Sequence, residues 1–260
     1  MNVYAEGEDL GGPTVVLLSG SGVAAPIYDY KPLYADLSGD YRVAVVEKFG
    51  YGYAGESGLP RDLATLVEED RKALKAAGEQ GPYVLMPHSM SALEAVYWAQ
   101  TWPEEVAAIV GLDMAVPQSY AQMPSNLGNI SLLRFFTFFG IHRIPAFAPV
   151  SRMGLTDKEY RQNQLLVARN SLNRDVYEEC RVVEENAAAA DALGVPECPI
   201  LMFTTDLNKQ DGYKTWVSAQ DDFALSARNC RQIHLQCGHE LHHEKAEEIV
   251  PEILNFLQNI

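Results

Sequence analysis

The residues best able to do chemistry cluster in one stretch, Pro82-Tyr83-Val84-Leu85-Met86-Pro87-His88-Ser89-Met90-Ser91. Tyr83 to Met86 reads as a short buried strand, and from Ser91 to Trp102 the pattern turns helical. A serine on a sharp strand-to-helix turn has its hydroxyl lifted clear of the sheet, with the first N–H groups of the helix aimed at the reacting centre. The chemistry served is nucleophilic attack by Ser89. The usual pattern is G-x-S-x-G, and here Pro87 and Ser91 stand where the glycines would be. A plain helix N-cap serine gives the same local sequence, so the warrant must come from its surroundings.

A second stretch, His239-Glu240-Leu241-His242-His243, matches H-E-x-x-H, in which two histidines on one helical face hold zinc and the glutamate acts as base. That reading needs all five residues inside a helix. Here the run begins directly after a strand and the turn Gln236-Cys237-Gly238, and no third ligand is evident. No metal and no organic cofactor are therefore expected, and His242 and His243 read as surface residues of the last helix.

The elements around these residues alternate. Residues 2–9 read as an edge strand, Thr14–Leu18 as a buried parallel strand opening into the small-residue loop Ser19-Gly20-Ser21-Gly22, and Ile27–Leu37 as a helix. Arg42–Val46 is the next strand. Asp62 caps a helix stopped by Gly78, and Val106–Leu112 is a strand ending at Asp113. Repeated strand–helix units imply an α/β fold with a mostly parallel, doubly wound sheet. Right-handed crossovers place the strand-to-helix loops on one edge, which gathers Ser21, Ser89 and Asp113 there. From residue 115 to 193 the rhythm breaks into helices only, expected near 130–140, 156–168 and 174–192. This is read as a helical cap inserted into a core of residues 1–114 and 194–260. The alternation resumes with a strand at Pro199–Thr204, a helix near Thr215–Ala227, a strand at Arg231–Leu235 and a closing helix. Phe135, Phe136, Phe138 and Phe139 are expected in the cap, either lining an apolar substrate pocket or packed in its interior.

With 260 residues, 47% apolar and 10% aromatic, the chain can bury one large core. Lys and Arg number 20 against 35 Asp and Glu, a net −15 that makes nucleic acid and anionic membranes poor partners. Cys180, Cys198, Cys230 and Cys237 lack C-x-x-C spacing and read as free thiols of a reducing compartment. The greasiest window, Ser131–Phe147, is interrupted by Arg134, His142, Arg143 and Pro145, too broken to span a bilayer. The N-terminus carries no basic, apolar signal segment, and a cytoplasmic location is expected.

The chain resembles the α/β-hydrolase fold superfamily over nearly its whole length. The resemblance rests on Leu17-Leu18-Ser19-Gly20-Ser21-Gly22, Phe49-Gly50-Tyr51-Gly52, Pro87–Ser91 and Cys237-Gly238-His239, in that order. It implies Ser89 as nucleophile, His239 as general base, and an oxyanion hole from the backbone N–H groups of Ser21 and Met90. His88 only flanks the nucleophile. The triad acid is allowed after either of two strands: Asp113 is preferred, with Asp206 the less favoured choice and Asn208 and Asp211 in the same stretch. The implied activity is hydrolysis of a small ester, or an amide, with an apolar portion. A non-catalytic ligand-binding protein, or a C–C lyase or acyltransferase on the same scaffold, are the alternatives.

Overall fold

The computed structural model describes residues 1–123, 127–144, 150–152, 154–206 and 213–260. They form a seven-stranded sheet of order β1-β3-β2-β4-β5-β6-β7. Its strands are β1 (Asn2–Glu6), β2 (Thr14–Leu18), β3 (Val43–Glu47), β4 (Tyr83–Pro87), β5 (Val106–Leu112), β6 (Ile200–Thr205) and β7 (Cys230–Leu235). Only β1 runs antiparallel, against β3; every other pairing is parallel. β4, which delivers Ser89, is the central strand, and its residues are buried throughout.

The helices follow the strands. α1 (Pro26–Asp29) and α2 (Lys31–Leu37) are two pieces where one helix was expected, with the break at Tyr30, ahead of the Lys31-Pro32 start of α2. α3 (Leu63–Ala77) has Asp62 accepting from the Thr65 N–H at 3.0 Å and ends at Gly78, whose φ of 88° is the left-handed C-cap geometry. α4 (Ala92–Thr101) follows the Ser89 turn. Between β5 and β6 come α5 (Pro117–Gln122), α6 (Leu127–Phe138), α7 (Asp157–Asn170), α8 (Arg174–Arg181) and α9 (Val183–Asp191). α5 was not foreseen, and the expected 174–192 helix is divided at Val182. α10 (Tyr213–Ser226), α11 (Leu241–Glu244) and α12 (Ala246–Leu257) complete the chain.

Strand residues alternate between two cores, as the period of two requires. Val16, Leu18, Ala44 and Val46 pack with Leu63, Val67 and Leu74 of α3 and with Leu93, Val96 and Trp98 of α4. Val15, Leu17, Val43 and Val45 pack on the other face with Leu33, Tyr34 and Leu37 of α2 and Ile249, Ile253 and Leu257 of α12. All four cysteines are free thiols. Among the described residues no helix is long and apolar enough to cross a membrane.

The helical excursion is tied to the sheet edge by a buried ion cluster. Lys48, just beyond β3, bonds Glu94 of α4 at 2.7 Å and Glu179 of α8 at 3.2 Å, and Tyr51 donates to Glu179 at 2.8 Å. Asp70 of α3 is fully buried beside Glu94. Two carboxylates share one ammonium. Burial and the neighbouring Glu94 push the Asp70 carboxyl well up. Lys48 is pushed down by burial, but Glu179 and Glu94 outweigh this and hold it charged.

Candidate active site

The turn that carries Ser89 is built from three strand ends. The His88 N–H donates to Leu18 O of β2 at 3.1 Å, and His88 bridges to Leu112 of β5. Ser89 has a φ of 53°, the left-handed region that non-glycine residues enter at a cost in strain. A short 3-10 turn, Ser89–Ser91, then leads into α4, and the Ser89 carbonyl accepts from Ala115 N–H at 2.9 Å. Ser91 is not a defect in the motif. Its hydroxyl donates to Leu18 O at 2.8 Å, with His88 O as the alternative acceptor at 2.9 Å, and accepts from His88 N–H at 3.1 Å. The glycine that the turn needs lies across the gap: a Cβ on Gly20 would sit 2.9 Å from the Ser89 Cβ and 3.0 Å from His88 Nδ1.

His239 follows β7, and its Nδ1 lies 2.5 Å from Asp113 Oδ2. Asp113 sits at the end of β5 with a φ of 43° and no exposure. Its carboxylate also accepts from Thr205 N–H at 3.2 Å, Thr205 Oγ1 at 3.1 Å, Trp216 Nε1 at 3.2 Å, Gln220 Nε2 at 2.9 Å and the Tyr213 hydroxyl. Burial pushes this carboxyl up, but the His239, Tyr213 and Gln220 donors outweigh it and the net shift is downward. His239 is pushed down by burial and up by Asp113, and the net shift is upward. Its ring is held between Trp216, edge-on at 5.7 Å, and His88 at 4.7 Å. The structure therefore pairs His239 with Asp113. Asp206, at the end of β6, uses its N–H on Leu235 O, while Asn208 and Asp211 lie outside the described residues.

Ser21 is exposed on the loop after β2, and Met90 is buried within the Ser89–Ser91 turn. Ser21 Oγ touches Cys180 Sγ of α8 at 3.1 Å. A cleft of about 400 Å³ opens beside this loop, lined by Ser21, Gly22, Asp29, Asn163, Glu240 and His243 among others.

Two expectations need correction. His242 is fully buried and His243 largely covered, because both turn onto Asp29: His242 Nε2 is 2.7 Å from Oδ2, and His243 Nε2 is 3.1 Å from Oδ1. The partner is 213 residues away, so no local signal marks it. H-E-x-x-H is not a helical motif here, since His239 and Glu240 precede α11 and His239 turns to Asp113. Asp29, His242 and His243 do bring ligand atoms within 4.8 Å of one another, as do His88, Glu240 and His242. However, His242 Nδ1 is buried with no partner among the described residues. Giving Nε2 to a metal would leave an N–H there without an acceptor, and metal-bound histidines normally have one. The second correction concerns Phe135, Phe136, Phe138 and Phe139, which do not pack in an interior: each is exposed, from 41% to 84%.

No protein-family model matches the sequence. The chain superposes on the crystal structure of the DbjA delta mutant with a TM-score of 0.73 at 16% identity, covering 99% of this chain and 94% of that one. The haloalkane dehalogenase DbeA-M1 loop variant from Bradyrhizobium elkanii gives 0.67 at 17%, covering 99% and 92%. At these identities the likeness is one of fold. The chain has the α/β-hydrolase fold. It belongs to the family of the uncharacterized protein YbdG of Bacillus subtilis (strain 168), to which it is 38% identical over 224 residues, a match spanning 82% of this chain and 68% of YbdG.

Proposed function

We propose that the protein is a serine hydrolase that cleaves a small ester through an acyl-enzyme on Ser89. The observation that carries this is the Asp113–His239 contact of 2.5 Å on the sheet edge where Ser89 stands at the tip of a strained turn. Asp113 fixes His239 with Nδ1 protonated, leaving the Nε2 lone pair for the Ser89 proton. Ser89 Oγ attacks the carbonyl carbon, and the oxyanion is met by the Ser21 and Met90 N–H groups, donors worth roughly 3–4 kcal/mol each where they can be removed. His239 returns the proton to the leaving alcohol, then activates water to release the acid. Residues 115–193 act as the cap, and the cleft beside Ser21 takes part of the substrate. A fluorophosphonate should label the wild type and leave Ser89→Ala unlabelled; equal labelling of both would overturn the proposal.

A further inference from the structure

α6 presents most of its large apolar side chains to solvent. Its contacts with α8 run through Tyr177: the Arg134 guanidinium lies over that ring at 4.2 Å, and the exposed Ser131 Oγ pairs with its hydroxyl at 3.0 Å. Leu132, Leu133, Phe135, Phe136, Phe138 and the adjoining Phe139 are 54%, 55%, 57%, 41%, 84% and 63% exposed, and the helix buries no residue. At 3.6 residues per turn they cover an arc of about 220°. Ile144, in the following turn, adds to the same exposed set at 50%. Scattered surface apolar residues are ordinary, but a contiguous aromatic face of this size marks an interaction site.

We infer that this face seats the protein on the surface of an anionic lipid bilayer. Three observations choose that occupant. The arc is convex and wider than a half-circle, so a fluid acyl layer can cover all of it, whereas the same arc on a second copy would meet it along one strip only. A 12-residue helix with apolar residues outward and an arginine at its polar margin has the dimensions of an interfacial helix, too short to span. The local charge also differs from the whole. From Met114 to Thr156 the sequence contains no Asp or Glu but carries Arg134, Arg143 and Arg152, in a chain of net −15. Arg152 is paired with Asp157, while Arg143 is exposed beside the aromatic face. The repulsion expected from the whole-chain charge is screened beyond about 8 Å at physiological salt, so at contact this acid-free stretch of sequence weighs more than distant carboxylates. The inference stands apart from the chemistry at Ser89.

The test is flotation of the full chain with vesicles of phosphatidylcholine containing about one third phosphatidylglycerol, and with phosphatidylcholine alone. Wild type should float with the anionic vesicles and less with the neutral ones. The double variant Phe138→Glu/Phe139→Glu, with unchanged circular dichroism and melting temperature, should bind at least about tenfold more weakly. Equal binding of variant and wild type, or of wild type to both vesicles, would overturn the inference. So would absence of vesicle binding, whether sedimentation then shows a monomer or a dimer that Phe138→Glu dissociates.

Discussion

Asp113→Asn is the sharpest test of the proposed mechanism, because the surroundings dictate how an amide must sit. The Oδ1 side faces Thr205 N–H, Trp216 Nε1 and Gln220 Nε2, which can only donate. An amide nitrogen cannot occupy that side. It is forced to the Oδ2 position, where Thr205 Oγ1 and the Tyr213 hydroxyl can rotate to accept and His239 Nδ1 lies 2.5 Å away. There the amide donates to Nδ1, which makes Nδ1 the bare nitrogen and puts the proton on Nε2. His239 then presents a donor to Ser89 instead of a base. The expected loss in kcat is on the order of 10⁴, about 5 kcal/mol of barrier. Stability should fall by only about 1–3 kcal/mol, because the shape is kept and one charged acceptor is lost. Hydrolysis of p-nitrophenyl esters and the rate of fluorophosphonate labelling measure the first quantity, and urea denaturation the second. Asp206→Asn serves as the comparison and should lose little. An Asp113→Asn enzyme that is folded and within tenfold of wild type would refute the tautomer argument.

Hydrolysis needs neutral His239, whose pKa is raised by Asp113, so kcat/KM should fall with decreasing pH through a midpoint above about 6.5, and kcat/KM–pH profiles check this. The same pair sets a stability window. The raised His239 stabilises below its unfolded pKa and loses that contribution as pH rises through the folded value. The lowered Asp113 stabilises above its unfolded pKa and loses its contribution as pH falls; urea midpoints should therefore show both contributions together between about 4 and 6.5. Lys48→Met strands Glu94 and Glu179 without their cation and should cost about 3–5 kcal/mol near neutral pH, shrinking as the pH falls toward the pKa of the Glu94 carboxyl, which burial pushes up. Ser91→Gly restores the usual motif yet should destabilise by about 1–2 kcal/mol in urea, since it deletes the hydroxyl bonded to Leu18 O and His88 N–H.

The parts of the fold legible in the sequence are those fixed by local rules. α3 was bounded by Asp62 and Gly78 because a cap side chain and a left-handed glycine each act within one turn. β5 was bounded correctly because Val106–Leu112 is buried at every residue but Ala107 and reads as an unbroken apolar run. What stayed hidden depends on partners far along the chain. Lys48 and Glu179 are 131 residues apart, and Asp29 and His242 are 213 apart, so neither pair differs in sequence from ordinary solvated charges. α6 misled for a different reason: its aromatic content signals burial, yet the helix buries no residue and its phenylalanines are exposed.

The departure of Pro87–Ser91 from G-x-S-x-G then has a physical account. A turn with Ser89 at a φ of 53° needs room where the preceding loop crosses it, and it needs strand and helix pinned together. Glycines beside the serine are one way to give the room. Here the room comes from Gly20, whose missing Cβ would collide with Ser89 and His88. The pinning comes from Ser91, whose hydroxyl joins the end of β2 to the start of the turn. The two requirements fall on residues about 70 positions apart. The informative signature in this chain is therefore the combination of a small-residue loop after β2 and a hydroxyl two residues past the serine, and Gly20→Ala should disturb the turn more than any substitution at Pro87 that keeps an extended backbone.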